Sequence, residues 1–266
     1  MAGLSQRVLI TGATGGIGEA IARRFGADGA ALVLSGRRIG QLERLAGELD
    51  AQTIAADLSV RAEVTRLAAT AGTVDILIAN AALPGTGLVA DMTQESIDTI
   101  LEVNLRAPIA LARALLPGML ERGRGHIVFV SSLSGKVASP AASLYNATKF
   151  GLRGFALGLR EDLAGRGVSA SVILPGFISD AGMFHDAGIT LPRGVGTRTP
   201  EQVADAALRA VRRDRAEVIV APLALRLGSD LAAIAPGLSA WVQRRAGGTG
   251  IAYDLAEAQT GRRPGG

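Results

Sequence analysis

The stretch RVLITGATGGIG, residues 7–18, governs how the rest of the chain is read. Its opening, RVLIT (7–11), is a short run of β-branched and aliphatic residues of strand length. TGATGGIG (11–18) follows as a glycine-rich turn, and IGEAIARRFGADG then spaces its apolar residues as a helix does. Gly12, Gly16 and Gly18 permit a tight turn, close backbone approach and close helix–strand packing. The helix N-terminus behind them offers unpaired N–H groups and a partial positive charge, which suits a pyrophosphate. The spacing is G-x-x-x-G-x-G rather than the commoner G-x-G-x-x-G, so the turn needs support from the rest of the chain.

Outward from this unit, strand-like and helix-like segments keep alternating. ALVLS (31–35), AQTIAAD (51–57), VDILIAN (74–80), GHIVFVSS (125–132), VSASVILP (168–175) and AEVIVAP (216–222) read as strands. IGQLERLAGEL, RAEVTRLAATAG, residues 143–164 and TPEQVADAALRAVRR, with Pro200 in its first turn, read as helices. Residues 93–122 read as one long helix or two consecutive ones, with Pro108 and Pro117 marking bends or ends. Strands that are apolar throughout and separated by helices are parallel strands covered on both faces. The expectation is a single α/β domain, a Rossmann-like doubly wound parallel sheet of about seven strands with helices on both faces. Residues 1–222 are expected to carry it, residues 223–247 to add a helical extension packed on the same domain, and residues 248–266 to form a loosely ordered tail.

Composition removes several function classes. Hydrophobic residues make up 48% of the chain and aromatics 3%, so the core is aliphatic. Cysteine is absent, which excludes disulfides and thiolate chemistry and makes a cytoplasmic setting the expectation. Neither a secretory signal nor an apolar run fit to span a membrane is apparent. The net charge of +4 is spread without blocks of like sign, so no nucleic-acid partner is expected. His126 and His185 stand outside any metal-ligand spacing and read as structural or surface residues, and no metal site is expected.

Two further stretches carry chemistry. The position after the second strand that would hold an acidic residue for a ribose 2′-hydroxyl reads SGRR instead. Ser35, Arg37 and Arg38 suit a 2′-phosphate, which favours NADP(H) over NAD(H); the plainer alternative is a pair of solvated arginines at a helix start. YNATK (145–149) places one of only two tyrosines four residues before one of only two lysines, against twenty-six arginines. Positions i and i+4 share a helix face, so Tyr145 and Lys149 can enter one cleft. A phenol is a poor proton shuttle near neutral pH. An ammonium about 4 Å away gives a raw Coulomb term of roughly 4 kcal/mol at an effective dielectric of about 20. The expectation is therefore a Tyr145 pKa lowered by about one to three units.

With TGATGGIG and YNATK both in place, residues 7 to about 222 resemble the short-chain dehydrogenase/reductase family. Residues 11–18 match its T-G-x-x-x-G-x-G motif, and residues 145–149 match its Y-x-x-x-K motif. Ser132 stands thirteen residues before the tyrosine, where the family has a serine. ANAA (79–82) is similar to the family's NNAG, keeping Asn80 while Ala82 replaces a glycine, and Asn104 in EVNLRAP matches the fourth catalytic member. The resemblance implies an NADP-dependent oxidoreductase transferring a hydride between nicotinamide and a carbonyl or secondary alcohol. It implies Tyr145 as general acid/base, Ser132 on the substrate oxygen, Lys149 on the nicotinamide ribose, and Asn104 holding a relay water. It also implies cofactor contacts from Thr14 and Ile17, from Asp57 and Leu58 in ADLS (56–59), from Asn80 and Ala81, and from Pro175, Gly176 and Ile178 in PGFISD. Asp180 stands where a threonine usually contacts the cofactor, so either Ser179 takes that role or the loop turns Asp180 outward.

Residues 179–198 are expected to form a substrate lid, with Met183, Phe184, Ile189 and Leu191 giving it an apolar inner surface and pointing to a hydrophobic small-molecule substrate. The segment 223–247 allows three readings: helices covering the fold, a subunit contact, or an interfacial membrane helix, the last disfavoured by Gly228, Pro236 and Gly237. A homodimer or homotetramer is implied by the resemblance. Two alternatives of other classes are a catalytically silent nucleotide sensor and a lipid-surface protein on the same fold.

Overall fold

The computed structural model describes residues 6–179, 196–235 and 237. Its strands are β1 (Arg7–Thr11), β2 (Ala31–Gly36), β3 (Gln52–Ala55), β4 (Ile76–Ala79), β5 (Gly125–Val130), β6 (Val168–Pro175) and β7 (Glu217–Val220). Its longer helices are α1 (Gly16–Ala27), α2 (Ile39–Leu49), α3 (Arg61–Ala71), α4 (Gln94–Leu101), α5 (Ala107–Glu121), α6 (Ser143–Asp162), α7 (Pro200–Arg212) and α8 (Leu223–Ile234). The strands make one seven-stranded sheet in the order β3-β2-β1-β4-β5-β6-β7, parallel throughout.

Successive strand residues face opposite sides, and here helices cover both. Val8 and Ile10 of β1 share an apolar cluster with Ile21 and Phe25 of α1 and Val203 of α7. Leu9 belongs to the opposite cluster, with Leu67 of α3 and Leu111 of α5. This two-sided burial is why RVLIT shows no polar alternation. Leu9 is fully buried, so Leu9→Ala would cost about 2–5 kcal/mol.

The strand order places β1 between β2 and β4. The winding reverses there, and such sheets bind ligands in the crevice beyond the carboxyl ends at that point. The segments AQTIAAD, VDILIAN and GHIVFVSS leave the ladder before their last residues. Asp57, Asn80, Ser131 and Ser132 thereby belong to the loops above the crevice rather than to strands.

Residues 93–122 are neither one regular helix nor two separate ones, because a π-turn, Glu102–Arg106, joins α4 to α5. Pro108 falls in the first turn of α5, where a missing N–H is tolerated. Pro117, expected as a bend or end, lies inside α5, which continues to Glu121. Its side is exposed, while Leu111, Leu115 and Met119 are buried at helical spacing, and that packing holds the helix through the proline.

At α7 the reading of a proline-started helix is met by a capping box between Thr199 and Gln202. The ends of the expected lid are joined: Ser179 N–H donates to the Arg198 carbonyl (2.9 Å) and Arg198 N–H to the Phe177 carbonyl (2.9 Å). Asp180, Met183, Phe184, His185, Ile189 and Leu191 lie outside the described residues. So do Trp241 and the expected tail. Helix α8 buries Ser229 and Ala232 and leaves Leu223, Leu227, Leu231 and Ile234 exposed, the reverse of an ordinary surface helix. Among the described residues, no helix is long and apolar enough to cross a membrane.

Candidate active site

The crevice at the switch point holds a pocket of about 320 Å³. Its floor is the turn from β1 to α1, where Gly12 has a φ of +64°, accessible to glycine at little cost. A Cβ at Gly18 would stand 2.1 Å from the Gly12 carbonyl oxygen, so α1 can meet the turn this closely only without a side chain. Gly15, Gly16 and Ile17 bring the α1 N-terminus to the pocket wall. Asn80 braces the turn from β4: its Nδ2 donates to the Thr11 carbonyl (3.1 Å) and the Gly12 carbonyl (3.2 Å). The Thr11 hydroxyl in turn accepts from the N–H groups of Asn80 (3.1 Å) and Ala81 (3.2 Å). Asn80 therefore lines the pocket while its amide nitrogen is engaged in shaping it.

One wall is cationic. Ser35 is buried at the end of β2, and Arg37 and Arg38 stand exposed at the rim, with Arg38 bonded to the hydroxyl and carbonyl of Thr14. Facing them are Asp57 and Leu58. Burial alone would raise the Asp57 pKa, but the Ser59 N–H (2.9 Å) and hydroxyl (2.7 Å), together with Arg37, hold the carboxyl below its usual range. An elongated dinucleotide fits these features: a helix N-terminus for its pyrophosphate, a glycine cradle, and cations at one end. Val103, Ala82 and Leu83 also line the pocket and were not anticipated.

A second group of polar side chains gathers past the carboxyl end of β5. Ser132 has extended backbone, and its hydroxyl accepts from the Ser134 N–H (3.1 Å). Tyr145, in the first turn of α6, comes near enough for the Ser132 side chain to act on its phenol. The neighbouring Ser131 points the other way and donates to the Lys149 carbonyl (3.0 Å), anchoring α6 against the strand end. Lys149 is buried, donates to the Val130 carbonyl (3.1 Å) and lies 5.6 Å from the Tyr145 ring centre.

The electrostatics differ from the expectation at Tyr145. Burial pushes its pKa up to about 12, against a smaller downward pull from the Ser132 side chain. Burial likewise pushes Lys149 down to about 8. Part of the Tyr145 surface stays exposed, and water there moderates the burial effect. In this state the ammonium sits over the ring and bonds a carbonyl, and it is not among the causes that move the Tyr145 pKa.

Asn104 occupies the π-turn. Its Oδ1 accepts from the Leu83 N–H (2.7 Å) and its Nδ2 donates to the Leu83 carbonyl (2.9 Å), so both ends of the amide are engaged. Pro108, four residues on, has no N–H to give the Asn104 carbonyl. The loop after Leu83 is bonded to the start of α6, where Tyr145 N–H donates to the Gly85 carbonyl (3.1 Å) and Gly87 N–H to the Ala141 carbonyl (2.7 Å). Pro175 ends β6 and Gly176 and Ile178 follow it, all three outside the lining of the described pocket; Gly176 N–H donates to the Val220 carbonyl (3.0 Å) and Ile178 pairs with Arg198. Among the described residues no acidic or histidine cluster could hold a metal ion.

A phosphate-fitting cradle beyond β1 and a serine–tyrosine pair past β5, both at the carboxyl end of the sheet, are the parts a dinucleotide-dependent oxidoreductase needs. The short chain dehydrogenase family model matches residues 6–190, and the chain belongs to that family. It is 36% identical over 222 residues to the ketoacyl reductase HetN of Nostoc sp. (strain PCC 7120 / SAG 25.82 / UTEX 2576), covering 80% of this chain and 77% of that protein. To the dehydrogenase/reductase SDR family member 7B of Xenopus laevis it is 35% identical over 254 residues, covering 87% and 78%. A short-chain dehydrogenase from Sphingobium yanoikuyae in complex with NADPH superposes with a TM-score of 0.75 at 31% identity, covering 88% of this chain and 95% of that one. The chain is thus a hydride-transferring oxidoreductase of small molecules on a fold that binds NAD(P).

Proposed function

We propose that this enzyme uses NADPH to reduce the carbonyl group of a hydrophobic ketone, with Tyr145 as proton donor. The observation that carries the reading is the Ser132–Tyr145 hydroxyl pair, set at the strand end with Lys149 one helical turn behind it. When bound, the cofactor supplies the hydride that the carbonyl carbon gains. The carbonyl oxygen gains its proton from Tyr145, and the Ser132 hydroxyl donates a hydrogen bond to the same oxygen as negative charge develops there. A phenol held protonated is suited to giving a proton in the reductive direction. Lys149, with its Nζ beside the strand end, supplies the positive charge that stabilises the phenolate left behind. The Asn104 carbonyl, lacking a Pro108 N–H, is the group to hold a water that returns the proton; its side chain keeps Leu83 and the loop above the site in place.

NADPH rather than NADH is favoured by the absence of an acid after β2 and by Arg37 and Arg38 at the rim, and the Sphingobium relative is an NADPH complex. A ketone is favoured by the ketoacyl reductase relative. A silent nucleotide sensor would have no use for the hydroxyl pair. A homo-oligomer is supported by the exposed leucine row of α8, which sedimentation tests by whether Leu227→Glu lowers the mass. The function is tested by following NADPH and NADH oxidation with a panel of aliphatic, aromatic and β-keto ester carbonyls. Turnover of at least one ketone with NADPH well ahead of NADH is expected; an inert panel, or NADH ahead, contradicts the reading.

A further inference from the structure

Lys136 is the second of the two lysines in the chain, and the chemistry above leaves it unused. Its side chain is only 10% exposed, and its Nζ lies 2.5 Å from Asp230 on α8 and 3.5 Å from Glu217 on β7. The other oxygen of Glu217 is held by the Nε of Arg153 on α6. Four charges of alternating sign therefore join four parts of the molecule: the loop after β5, the edge strand, the catalytic helix and the C-terminal helix.

Sequence spacing gives the cluster its meaning. Lys136 follows Ser132 by four residues, across the short 3-10 turn Leu133–Gly135. Arg153 follows Lys149 by four residues, one turn further along α6. Each of the two segments bearing the reactive groups thus sends one cation, a few residues beyond its reactive side chain, to the same carboxylate. Glu217 is 20% exposed, so its charge is only partly screened, and its place on β7 is fixed by pairing with Val172 of β6.

We propose that Glu217 is a positioning residue for the reaction, holding the Ser132 loop and the Tyr145–Lys149 helix in one register through Lys136 and Arg153. Asp230 extends the clamp to α8, so the C-terminal helix bears on the active site through Lys136. The proposal rests on the reading of Ser132, Tyr145 and Lys149 given above. Its physical basis is that reacting groups must be held closely, and a displacement of about 1 Å costs about a hundredfold in rate.

The test uses the full chain and the best ketone of the panel, measuring kcat, KM for the ketone, and NADPH affinity by fluorescence. Glu217→Gln is expected to lower kcat by about tenfold or more with NADPH affinity nearly unchanged. Lys136→Met is expected to do the same, and Lys136→Arg to restore most of the loss. Asp230→Asn, at a half-exposed site, is expected to lower kcat about twofold to threefold. Asp214→Asn removes an ion pair with Arg160 at the far end of the sheet, and kcat there should stay at the parent value. If Glu217→Gln fails to fold, the Lys136→Met and Lys136→Arg pair decides. Parent kcat in both Glu217→Gln and Lys136→Met overturns the proposal, as does a loss confined to NADPH affinity or a loss that Lys136→Arg fails to restore. Tyr145→Phe is measured beside them: retained turnover there sinks the catalytic reading and this proposal together. An inactive Tyr145→Phe with an unaffected Glu217→Gln sinks this proposal alone.

Discussion

Buried and half-buried polar groups gather at both ends of the parallel sheet, and the two ends use them differently. At the amino end most of them close on protein partners, although Gln6 Oε1 and one oxygen of Asp75 accept no hydrogen bond. His126 is bonded to Ser171 (2.7 Å), whose hydroxyl donates to the Arg215 carbonyl (2.6 Å). Asp214 receives two guanidinium bonds from Arg160 and the hydroxyl of Ser169. Asp75 receives the Arg7 N–H (3.0 Å) with Arg124 nearby (3.5 Å). At the carboxyl end, Tyr145 stands near Ser132 and stays partly exposed, and a buried lysine bonds a single backbone carbonyl. The amino end is arranged for stability and the carboxyl end keeps bonding capacity for a ligand.

The sharpest way to break this comparison is to remove a titratable group at each end. Lys149→Met is expected to lower turnover by about two orders of magnitude or more. It should also raise stability near neutral pH, because burial depresses the Lys149 pKa to about 8. A lysine so depressed binds fewer protons folded than unfolded, so its destabilising effect is full below about 8 and fades as pH rises towards the ordinary lysine value. Thermal melting at pH 7 should show a Tm higher by about 2 °C or more, and an unchanged or lower Tm would contradict the burial account.

His126 carries the corresponding test at the amino end. Burial is the main cause of its pKa falling to about 4, so the folded chain keeps it neutral while the unfolded chain takes a proton. Its contribution to stability is therefore full above about 6.5 and is lost as pH falls through about 4, a difference of at most about 3 kcal/mol. Urea unfolding between those pH values should weaken steeply in the parent and less in His126→Leu, with catalysis equal in both at neutral pH. A parent whose stability is flat across that range would show that His126 is not buried neutral.

A smaller effect is expected at the rim of the cofactor pocket. Replacing Arg37 and Arg38 together with alanine should weaken NADPH binding by about tenfold, or about 1.4 kcal/mol, and leave NADH binding nearly unchanged. Equal losses for both cofactors would place the arginines elsewhere than at a 2′-phosphate. The least change is expected from Asp214→Asn, a loss of about 1 kcal/mol or less, since that side chain is 58% exposed. Arg160 is the main cause that holds the Asp214 pKa at about 2, so its contribution is present above about 4 and lost as pH falls through about 2.

The fold was legible because its signals are local. Apolar strands without alternation, helices between them and a glycine turn after the first strand each depend on near neighbours along the chain. Ser132 was picked out by the family resemblance, which expects a serine thirteen residues before the tyrosine, and Arg37 and Arg38 by an acid that is missing. The π-turn around Asn104 was not, since one extra residue in a helical turn leaves no periodic mark, and Pro117 misled because packing overrides its tendency to end a helix. The Tyr145 pKa could not be read because burial, the larger cause, is set by the whole tertiary structure, whereas the i, i+4 lysine was visible at once. Lys136 and Arg153 were equally hidden as partners of Glu217, at sequence separations of 81 and 64 residues.

The central claim is that Tyr145 gives the proton and that the dinucleotide cradle works independently of it. Tyr145→Phe tests this most directly, with ketone reduction and NADPH affinity measured on the same preparation. The account predicts turnover lower by about three orders of magnitude with NADPH affinity within a few fold of the parent. Turnover near the parent value in a folded, NADPH-binding Tyr145→Phe enzyme would contradict it.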